Sequence, residues 1–459
     1  MKDGNGVQRW LRVGRRTMIG ILSASILMSA CVGNLKDVRE VSVELERRTG
    51  QTLGETKPGE LAWPPGVSVA DGLSEDELAA LALWNNATFR EAIADLGLSR
   101  ADLVQAGMLP NPTLWMLFPV GIKPLELLLR YPIEAFWLRT RRVKSAELDV
   151  QRAEQRLVQN GLDVIRDVRL ASADLALARE RAELAGAAAK LACDIAELTR
   201  SRLRAGDATE LEASNAQVDA LQAQEQHTRW QRDADMARER LRSLVGLGLE
   251  RWSTVVEAGP LPLEAPSDRE RLVQDALSTR PDLRAAELGM EAAGERIGLA
   301  RAEVFTFTAI LSTKDVSGQT LSGPGLDIAL PIVNQNQGGI AQSQARLEKA
   351  ARFYNSVRDR IVLEVREASA KLNQARISHD QWQNQILPPL AEAEQQADKA
   401  YAAGNVTYLF VLETQRKWLD ARIKAATVAT DLRRAHAELE RSVGRSLGRP
   451  VQDSKVSPS

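Results

Sequence analysis

The sequence predicts a mainly α-helical protein with a small β part, in which a strand hairpin and a long coiled-coil helical hairpin are built twice. Three observations support this. The chain repeats itself: Arg204-Ala205-Gly206-Asp207-Ala208-Thr209-Glu210-Leu211 corresponds to Ala402-Ala403-Gly404-Asn405-Val406-Thr407-Tyr408-Leu409, and Leu244-Val245-Gly246 corresponds to Ser442-Val443-Gly444, both at a spacing of 198 residues. Long stretches lack proline and keep a seven-residue apolar period. Two other stretches alternate with a period of two. A duplication of this length means one large unit made twice, not a short-period solenoid.

Taken in order, residues 1–30 read as an export signal. Arg12, Arg15 and Arg16 precede an apolar run from Met18 to Ala30 that is too short to span a bilayer comfortably. It ends at Met28-Ser29-Ala30-Cys31, where small residues before a cysteine predict lipid attachment at Cys31. Residues 31–72, punctuated by Gly50, Gly54, Pro58, Gly59, Pro64, Pro65 and Gly66, read as an irregular, lipid-anchored segment. The first repeat then spans 73–260. A helix begins after Ser74, with Glu77 completing a capping-box pattern, and stops at Gly107-Met108-Leu109-Pro110-Asn111-Pro112.

The apolar stretch that follows contains Pro119, Gly121, Pro124 and Pro132, and charges at Lys123, Glu126, Arg130 and Glu134. It therefore predicts a β-hairpin over 112–138, turning near Gly121–Pro124, and not a membrane helix. From Arg139 to Leu203 there is no proline. Leu157, Val164, Ala171, Ala178, Ala185, Ala192 and Thr199 recur every seven residues beside Gly161, Val168, Leu175, Ala182, Ala189, Ala196 and Leu203, a seam of small knobs that lets helices pack closely. At about 1.5 Å per residue this helix runs roughly 100 Å. The chain reverses at a tip at Gly206 and returns to Gly246.

The second repeat, 270–448, copies this plan. Phe305, Phe307, Ala309 and Leu311 alternate with Thr306, Thr308 and Ser312, with Ile310 the exception; after Gly323-Pro324-Gly325, Leu326, Ile328 and Leu330 alternate with Asp327 and Ala329. This gives a β-hairpin over 305–333. A helical hairpin follows, with its tip at Gly404 and a local break expected at Pro388-Pro389. Residues 449–459 read as a disordered tail.

Four strands cannot close in lipid, because two edges of unpaired backbone groups would remain, each costing several kcal/mol. Two protomers would supply eight strands, whose interior side chains fill; three would supply twelve, enough for a water-filled lumen. The charged helices need water and far exceed a bilayer's thickness. Strands in an outer membrane and helices in the periplasm therefore imply a conduit.

The residues also resemble a known family. Leu81-Ala82-Leu83-Trp84-Asn85-Asn86, Ala106-Gly107-Met108-Leu109-Pro110-Asn111-Pro112 and Arg280-Pro281-Asp282-Leu283-Arg284-Ala285-Ala286-Glu287 are similar, in order, to the TolC-like outer-membrane efflux proteins over nearly all of the mature chain. Leu330-Pro331-Ile332-Val333-Asn334-Gln335-Asn336-Gln337-Gly338-Gly339-Ile340-Ala341 resembles the heavy-metal branch of resistance-nodulation-division systems. The resemblance implies a homotrimer with a twelve-stranded β-barrel and an α-helical periplasmic tunnel, embedded in outer-membrane lipid. It also implies a periplasmic adaptor and an inner-membrane pump of the resistance-nodulation-division type, and heavy-metal cations as cargo. The family's Gly-Lys-Arg after the first hairpin is replaced by Arg139-Thr140-Arg141-Arg142.

Candidate sites follow from position. Gly206, Asp207 and Thr209 at one tip, and Gly404, Asn405 and Thr407 at the other, are where an adaptor or pump would dock, although a sharp helix reversal alone also requires those glycines. Glu392, Glu394 and Asp398 would form acidic rings at a tunnel gate if they face the lumen; as a solvated outer face they would not. The three histidines, His227, His379 and His436, have no metal-ligand spacing to one another or to a cysteine. No nucleophile motif, phosphate loop or cofactor motif is present. With residues 1–30 removed the chain is acidic, with no basic face for nucleic acid. The alternatives are a drug-efflux or type I protein-secretion channel, and a coiled-coil structural or adaptor lipoprotein; the lipid-facing strands argue against the latter.

Overall fold

The computed structural model describes residues 37–54, 60–67, 72–118, 120, 125–247, 261, 268–316 and 319–447. The signal segment, Cys31, the Gly121–Pro124 turn and the tail at 449–459 lie outside the described residues.

The first described element is not the irregular chain expected for residues 31–72. It is a helix, α1 (Arg39–Thr49). Val38, Val41, Leu45 and Arg48 fall at i, i+3, i+7 and i+10 and are all buried, which is a helical stripe. The breakers begin only at Gly50, which caps the helix at φ 79°.

The first repeat follows as α2 (Glu75–Asn85), α3 (Ala87–Gly107), β1 (Thr113–Leu117), β2 (Glu126–Pro132), α4 (Ala135–Ala205) and α5 (Glu210–Val245). Ser74 and Glu77 make the reciprocal capping box of α2. Asn86 separates α2 from α3, accepting from Phe89 N and donating from Nδ2 to Leu244 O at 2.8 Å. The 71 residues of α4 extend about 107 Å at 1.5 Å per residue. None of the fourteen seam residues named above is exposed.

The second repeat is α6 (Arg269–Thr279), α7 (Pro281–Ala302), β3 (Phe307–Val316), β4 (Gln319–Ile328), α8 (Gln337–Gln381), α9 (Leu387–Ala402) and α10 (Tyr408–Val443). The break between α8 and α9 is a π-helical turn, Trp382–Ile386. Its cause is local. Pro388 and Pro389 lack the N–H groups that Asn384 and Gln385 need as i+4 donors, and Leu387 N bonds five residues back to Trp382 O.

Each repeat has its own core. Leu78, Leu81 and Ala82 of α2 meet Val168 and Leu175 of α4 and Leu241 and Val245 of α5. In the second, Leu272, Val273 and Ala276 of α6 meet Ile361 and Val365 of α8 and Leu439 and Val443 of α10. In a third cluster α1 packs with α2, α3 and α4; a Cβ on Gly161 would come within 2.9 Å of Leu45. The small residue in the seam thus admits α1.

The strands form one antiparallel sheet in the order β1-β2-β3-β4. The Gly323-Pro324-Gly325 triplet lies inside β4, with Pro324 opposite Leu311, and not at a turn. β4 is an edge strand of this sheet, where a missing N–H is tolerated.

Candidate functional site

Register sorts the strand residues into two faces. Leu114 pairs with Leu129, which pairs with Leu311; Met116 pairs with Leu127; Tyr131 pairs with Ala309, which pairs with Leu326; Phe307 pairs with Ile328. That face is apolar over its half nearer the helices and most of those side chains are exposed in the protomer, whereas Thr313, Asp315, Thr320 and Ser322 share its register at the far end of β3 and β4. The other face carries Glu126 opposite Lys314, and Arg130 with its Nη2 3.4 Å from Asp327 Oδ2, together with Thr113, Thr308 and Ser312. Trp115 also lies there, its ring centroid 5.7 Å from the Arg130 guanidinium carbon. This second face is mixed, because Leu117, Leu128, Ile310 and Leu321 share its register, but it carries the charged side chains, and the first face is the one suited to lipid. The ten residues of β3 and of β4 extend about 34 Å, and a tilt near 40° brings their height to about 25 Å, the apolar band of an outer-membrane barrel. Among the described residues, β1 and β4 leave both edges of the sheet without a partner in the protomer. Among them, too, no helix is long and apolar enough to cross a membrane.

The helices continue the apolar side. Tyr131 stacks at 5.7 Å on Phe136, and Trp137 meets Phe307 edge-on at 5.7 Å. The apolar sheet face therefore leads to the side of α4 that bears these aromatics. Val158 and Ile165, three and four heptads beyond Trp137, pack in the cluster with α1, so the outer helices cover that same side. The opposite side of α4 carries Asp174 and Arg181. Arg434 of α10 reaches Asp174 at 2.5 Å, and the Arg181 guanidinium lies 4.4 Å over Trp230.

Where the repeats meet, a buried ionic node joins the elements. Arg280, whose side chain is 0 % exposed, holds Asp282 in a bidentate pair at 2.6 and 3.0 Å, Glu364 at 2.6 Å and Ser442 O at 3.0 Å. Arg441 shares Glu364 at 2.6 Å and reaches Asp163 of the first repeat at 2.8 Å. Glu440 accepts from Arg169, from Ser446 Oγ at 2.8 Å and from Leu447 N at 2.9 Å. Burial alone would lower the Arg169 pKa, but the Glu440 and Asp76 carboxylates outweigh it and raise it. Burial pushes His436, beside Glu440, below its ordinary value, and raises Glu75 above its own.

At the tips, Gly206 and Gly404 close α4 and α9 at φ 84° and 76°. Asp207 N returns to Arg202 O at 2.9 Å and Asn405 N to Ala400 O at 2.8 Å, satisfying carbonyls the helices leave open. Thr209 caps α5 in a reciprocal box with Glu212. Its counterpart at the second tip is Thr407, which caps α10 by accepting from Phe410 N at 3.3 Å. An added Cβ at Gly206 or Gly404 would meet nothing within 4 Å, so backbone conformation alone requires these glycines. The sequence reading missed the aromatic pair flanking the second tip, Tyr401 and Tyr408, whose ring centroids are 5.2 Å apart; tyrosines on both sides of Gly404 were its only signal. On α9, Glu392 and Asp398 are exposed and Glu394 is half-buried. Glu394 and Asp398 are one turn apart, whereas Glu392 points about 200° away from Glu394, so the three do not share one face. Among the described residues no group of three His, Cys, Asp or Glu side chains could hold a metal.

The model of the outer membrane efflux protein family matches residues 125–247 and 272–445, which takes in β2, the β3–β4 hairpin and both long helical hairpins. The cobalt-zinc-cadmium resistance protein CzcC of Cupriavidus metallidurans is 25 % identical over 403 residues, covering 86 % of this chain and 94 % of that protein. The pyoverdine export outer membrane protein OpmQ of Pseudomonas aeruginosa is 29 % identical over 276 residues, and the chain spans only 56 % of its length. The open-state MtrE outer membrane channel of Neisseria gonorrhoeae superposes with a TM-score of 0.65 at 19 % identity, covering 88 % of this chain and all of that one. A sheet with one lipid-suited face, continuous with helices far too long for a bilayer, thus coincides with a family match over more than half the chain: the protein belongs to the outer membrane efflux protein family, as an outer-membrane channel with a helical periplasmic tunnel.

Proposed function

We propose that the chain is the exit duct of a tripartite heavy-metal efflux pump. Three copies close a twelve-stranded barrel, and the duct passively conducts cations delivered by a resistance-nodulation-division pump and a periplasmic adaptor. The observation that carries this reading is the likeness to CzcC over 86 % of this chain and 94 % of that protein, in a protomer whose sheet edges β1 and β4 need partners. Gly206, Asp207, Thr209, Gly404, Asn405 and Thr407 are the docking tips, Glu394 and Asp398 on α9 are the gate candidates with Glu392 on another face, and Cys31 carries the acyl anchor.

The test is deletion of the gene and complementation, reading growth inhibition by cobalt, zinc and cadmium salts alongside crosslinked outer-membrane trimers. Sensitivity on deletion that the intact gene reverses supports the reading. Unchanged metal sensitivity, with loss of tolerance to an organic compound, would transfer the protein to the second reading, an organic-cargo exporter. That reading is favoured by the partial likeness to OpmQ. Loss of acyl labelling in Cys31→Ser tests the anchor separately.

A further inference from the structure

The first turns of α4 carry a feature that conduction does not use. Trp137, Thr140, Arg141 and Lys144 stand at i, i+3, i+4 and i+7, a single stripe on a helix. All four are exposed. The stripe starts at the lipid-suited side of the sheet, because the Trp137 ring packs edge-on against Phe307. Around it the chain leaves β4 through Leu330, Ile332 and Val333, which are 72, 78 and 89 % exposed, and Phe136 and Phe305 are exposed as well. This is an apolar collar at the periplasmic end of the strands, where aromatic side chains sit at a membrane–water boundary.

Below it come the cations. At 1.5 Å per residue, Arg141 is about 6 Å and Lys144 about 10 Å further from the sheet than Trp137, the depth of lipid phosphates beneath an acyl boundary. Arg141 has one carboxylate neighbour, Glu295, at a loose 3.7 Å, and its side chain stays half exposed. Glu147, exposed one turn beyond Lys144, ends the basic stripe. Arg139 points elsewhere, donating from Nε to Gly107 O at 2.6 Å. Arg142 also lies off the stripe, with Nε and Nη2 buried.

We propose that Trp137, Arg141 and Lys144 form a binding site for anionic phospholipid headgroups of the inner leaflet of the outer membrane. The indole sits at the acyl boundary and the two cations hold the phosphate. The occupant follows from continuity with the lipid-facing strand surface and from charge: a basic stripe beside an apolar collar matches an anionic headgroup beside its own acyl chains. The site rests on the outer-membrane placement of the barrel and is independent of the cargo.

The experiment reconstitutes the full-length purified protein in nanodiscs of phosphatidylcholine containing a minor fraction of phosphatidylglycerol. It measures, by lipid mass spectrometry, phosphatidylglycerol retained on re-extraction relative to the bulk ratio. The wild type is expected to be enriched, and each cation removed should lower the binding constant roughly five-fold, so Arg141→Gln/Lys144→Gln should approach the bulk ratio. Arg416→Gln/Lys417→Gln, at exposed positions near the tips, should leave enrichment unchanged. Undiminished enrichment in Arg141→Gln/Lys144→Gln overturns the proposal. So does equal loss when millimolar inorganic phosphate is added to the wild type, because the site would then take free phosphate and not lipid. Should the double variant not assemble, salt decides the matter on the wild type: enrichment that disappears as salt rises about ten-fold, to roughly 0.5 M, supports the site, and enrichment that persists overturns it.

Discussion

The four glycines that end the long helices offer a controlled experiment, because the backbone treats them alike and their surroundings do not. Gly206, Gly246, Gly404 and Gly444 have φ of 84°, 81°, 76° and 86°. Valine at any of them carries the left-handed penalty, about 1–2 kcal/mol and more for a β-branched residue. At Gly206 and Gly404 nothing lies within 4 Å of an added Cβ, so that penalty is the whole cost, and it falls on a helix end that frays locally. At Gly246 the Cβ would lie 2.4 Å from the backbone oxygen of Asn85. Relieving that clash means displacing the end of α2 from its core, adding roughly 1–3 kcal/mol. At Gly444 the nearest atom is Arg280 Cγ at 3.1 Å, part of a side chain fixed by four hydrogen bonds, so the cost should be intermediate. The amount of folded protein in the outer membrane and the thermal midpoint of the purified protein should therefore be near wild type for Gly206→Val and Gly404→Val, reduced for Gly444→Val and lowest for Gly246→Val. If the tips dock an adaptor, metal resistance should fall in the two tip variants despite normal yield. A tip variant as unstable as Gly246→Val would refute the packing argument. Full resistance in both would remove the tips from docking.

Three further outcomes follow from the geometry. Arg280→Met should cost about 3–5 kcal/mol by leaving the largely buried Asp282 and the half-buried Glu364 short of a cation, and Arg280→Lys should recover only part of it, since the bidentate contact to Asp282 is lost; denaturant midpoints check both. Leu311→Arg, on the apolar face, should cost about 2–4 kcal/mol in lipid and reduce barrel assembly, while Ser312→Arg, its neighbour on the polar face, should assemble normally and alter single-channel conductance in planar bilayers. Burial depresses His436 in the folded chain, so on acidification below its unfolded value, about 6.5, the unfolded chain takes up the proton first. Stability should fall from that pH down to the folded-state pKa and then level off, and His436→Gln should flatten this slope in pH-dependent melting, while Glu75, raised by burial, contributes the opposite slope between its folded-state pKa and its lower unfolded value.

The elements legible in the sequence were those whose cause is local. The Ser74–Glu77 capping box, the glycine reversals at Gly206 and Gly404, and the alternation around Phe307 and Ile328 each depend on residues within a few positions of one another. What escaped reading has other causes. The helix α1 was hidden because its apolar stripe is short and lies just before a run of breakers; it is held by Gly161, more than a hundred residues away, which the heptad count registered only as a small knob. The second strand was read as alternating only after Gly323-Pro324-Gly325, whereas β4 already begins at Gln319, because the edge position that tolerates Pro324 is a property of the sheet. The node around Arg280 shows the limit most plainly. Arg280-Pro281-Asp282 was recognisable as a motif, but Arg169–Glu440 and Arg441–Asp163 link residues 271 and 278 positions apart, and no single-sequence pattern pairs them.

That distribution bears on how the duct divides its work. The two repeats are joined by the ion pairs Arg441–Asp163, Arg169–Glu440 and Arg434–Asp174 and by the apolar contact of Leu148 with Leu288 and Ala292, while Arg280 with Asp282 and Glu364 braces the second repeat from within and shares Glu364 with Arg441. The tips, by contrast, are closed by their own backbone hydrogen bonds, by Arg202 Nη2 donating to Asp207 O at 3.1 Å, by the Thr209 and Thr407 caps and by the exposed Tyr401–Tyr408 pair. Separating the repeats at the node would uncover several charges at once, each costly without its partner. Moving one tip relative to the other breaks no comparable set of buried contacts. Any rearrangement that widens the periplasmic end should therefore leave the node intact and be absorbed along the lengths of α4–α5 and α9–α10 beyond the Arg434–Asp174 and Arg181–Thr427 contacts. The π-helical turn at Trp382–Ile386, with no buried residue of its own, is a natural hinge on that path, since its hydrogen bonds are already displaced from the α-helical pattern by Pro388 and Pro389.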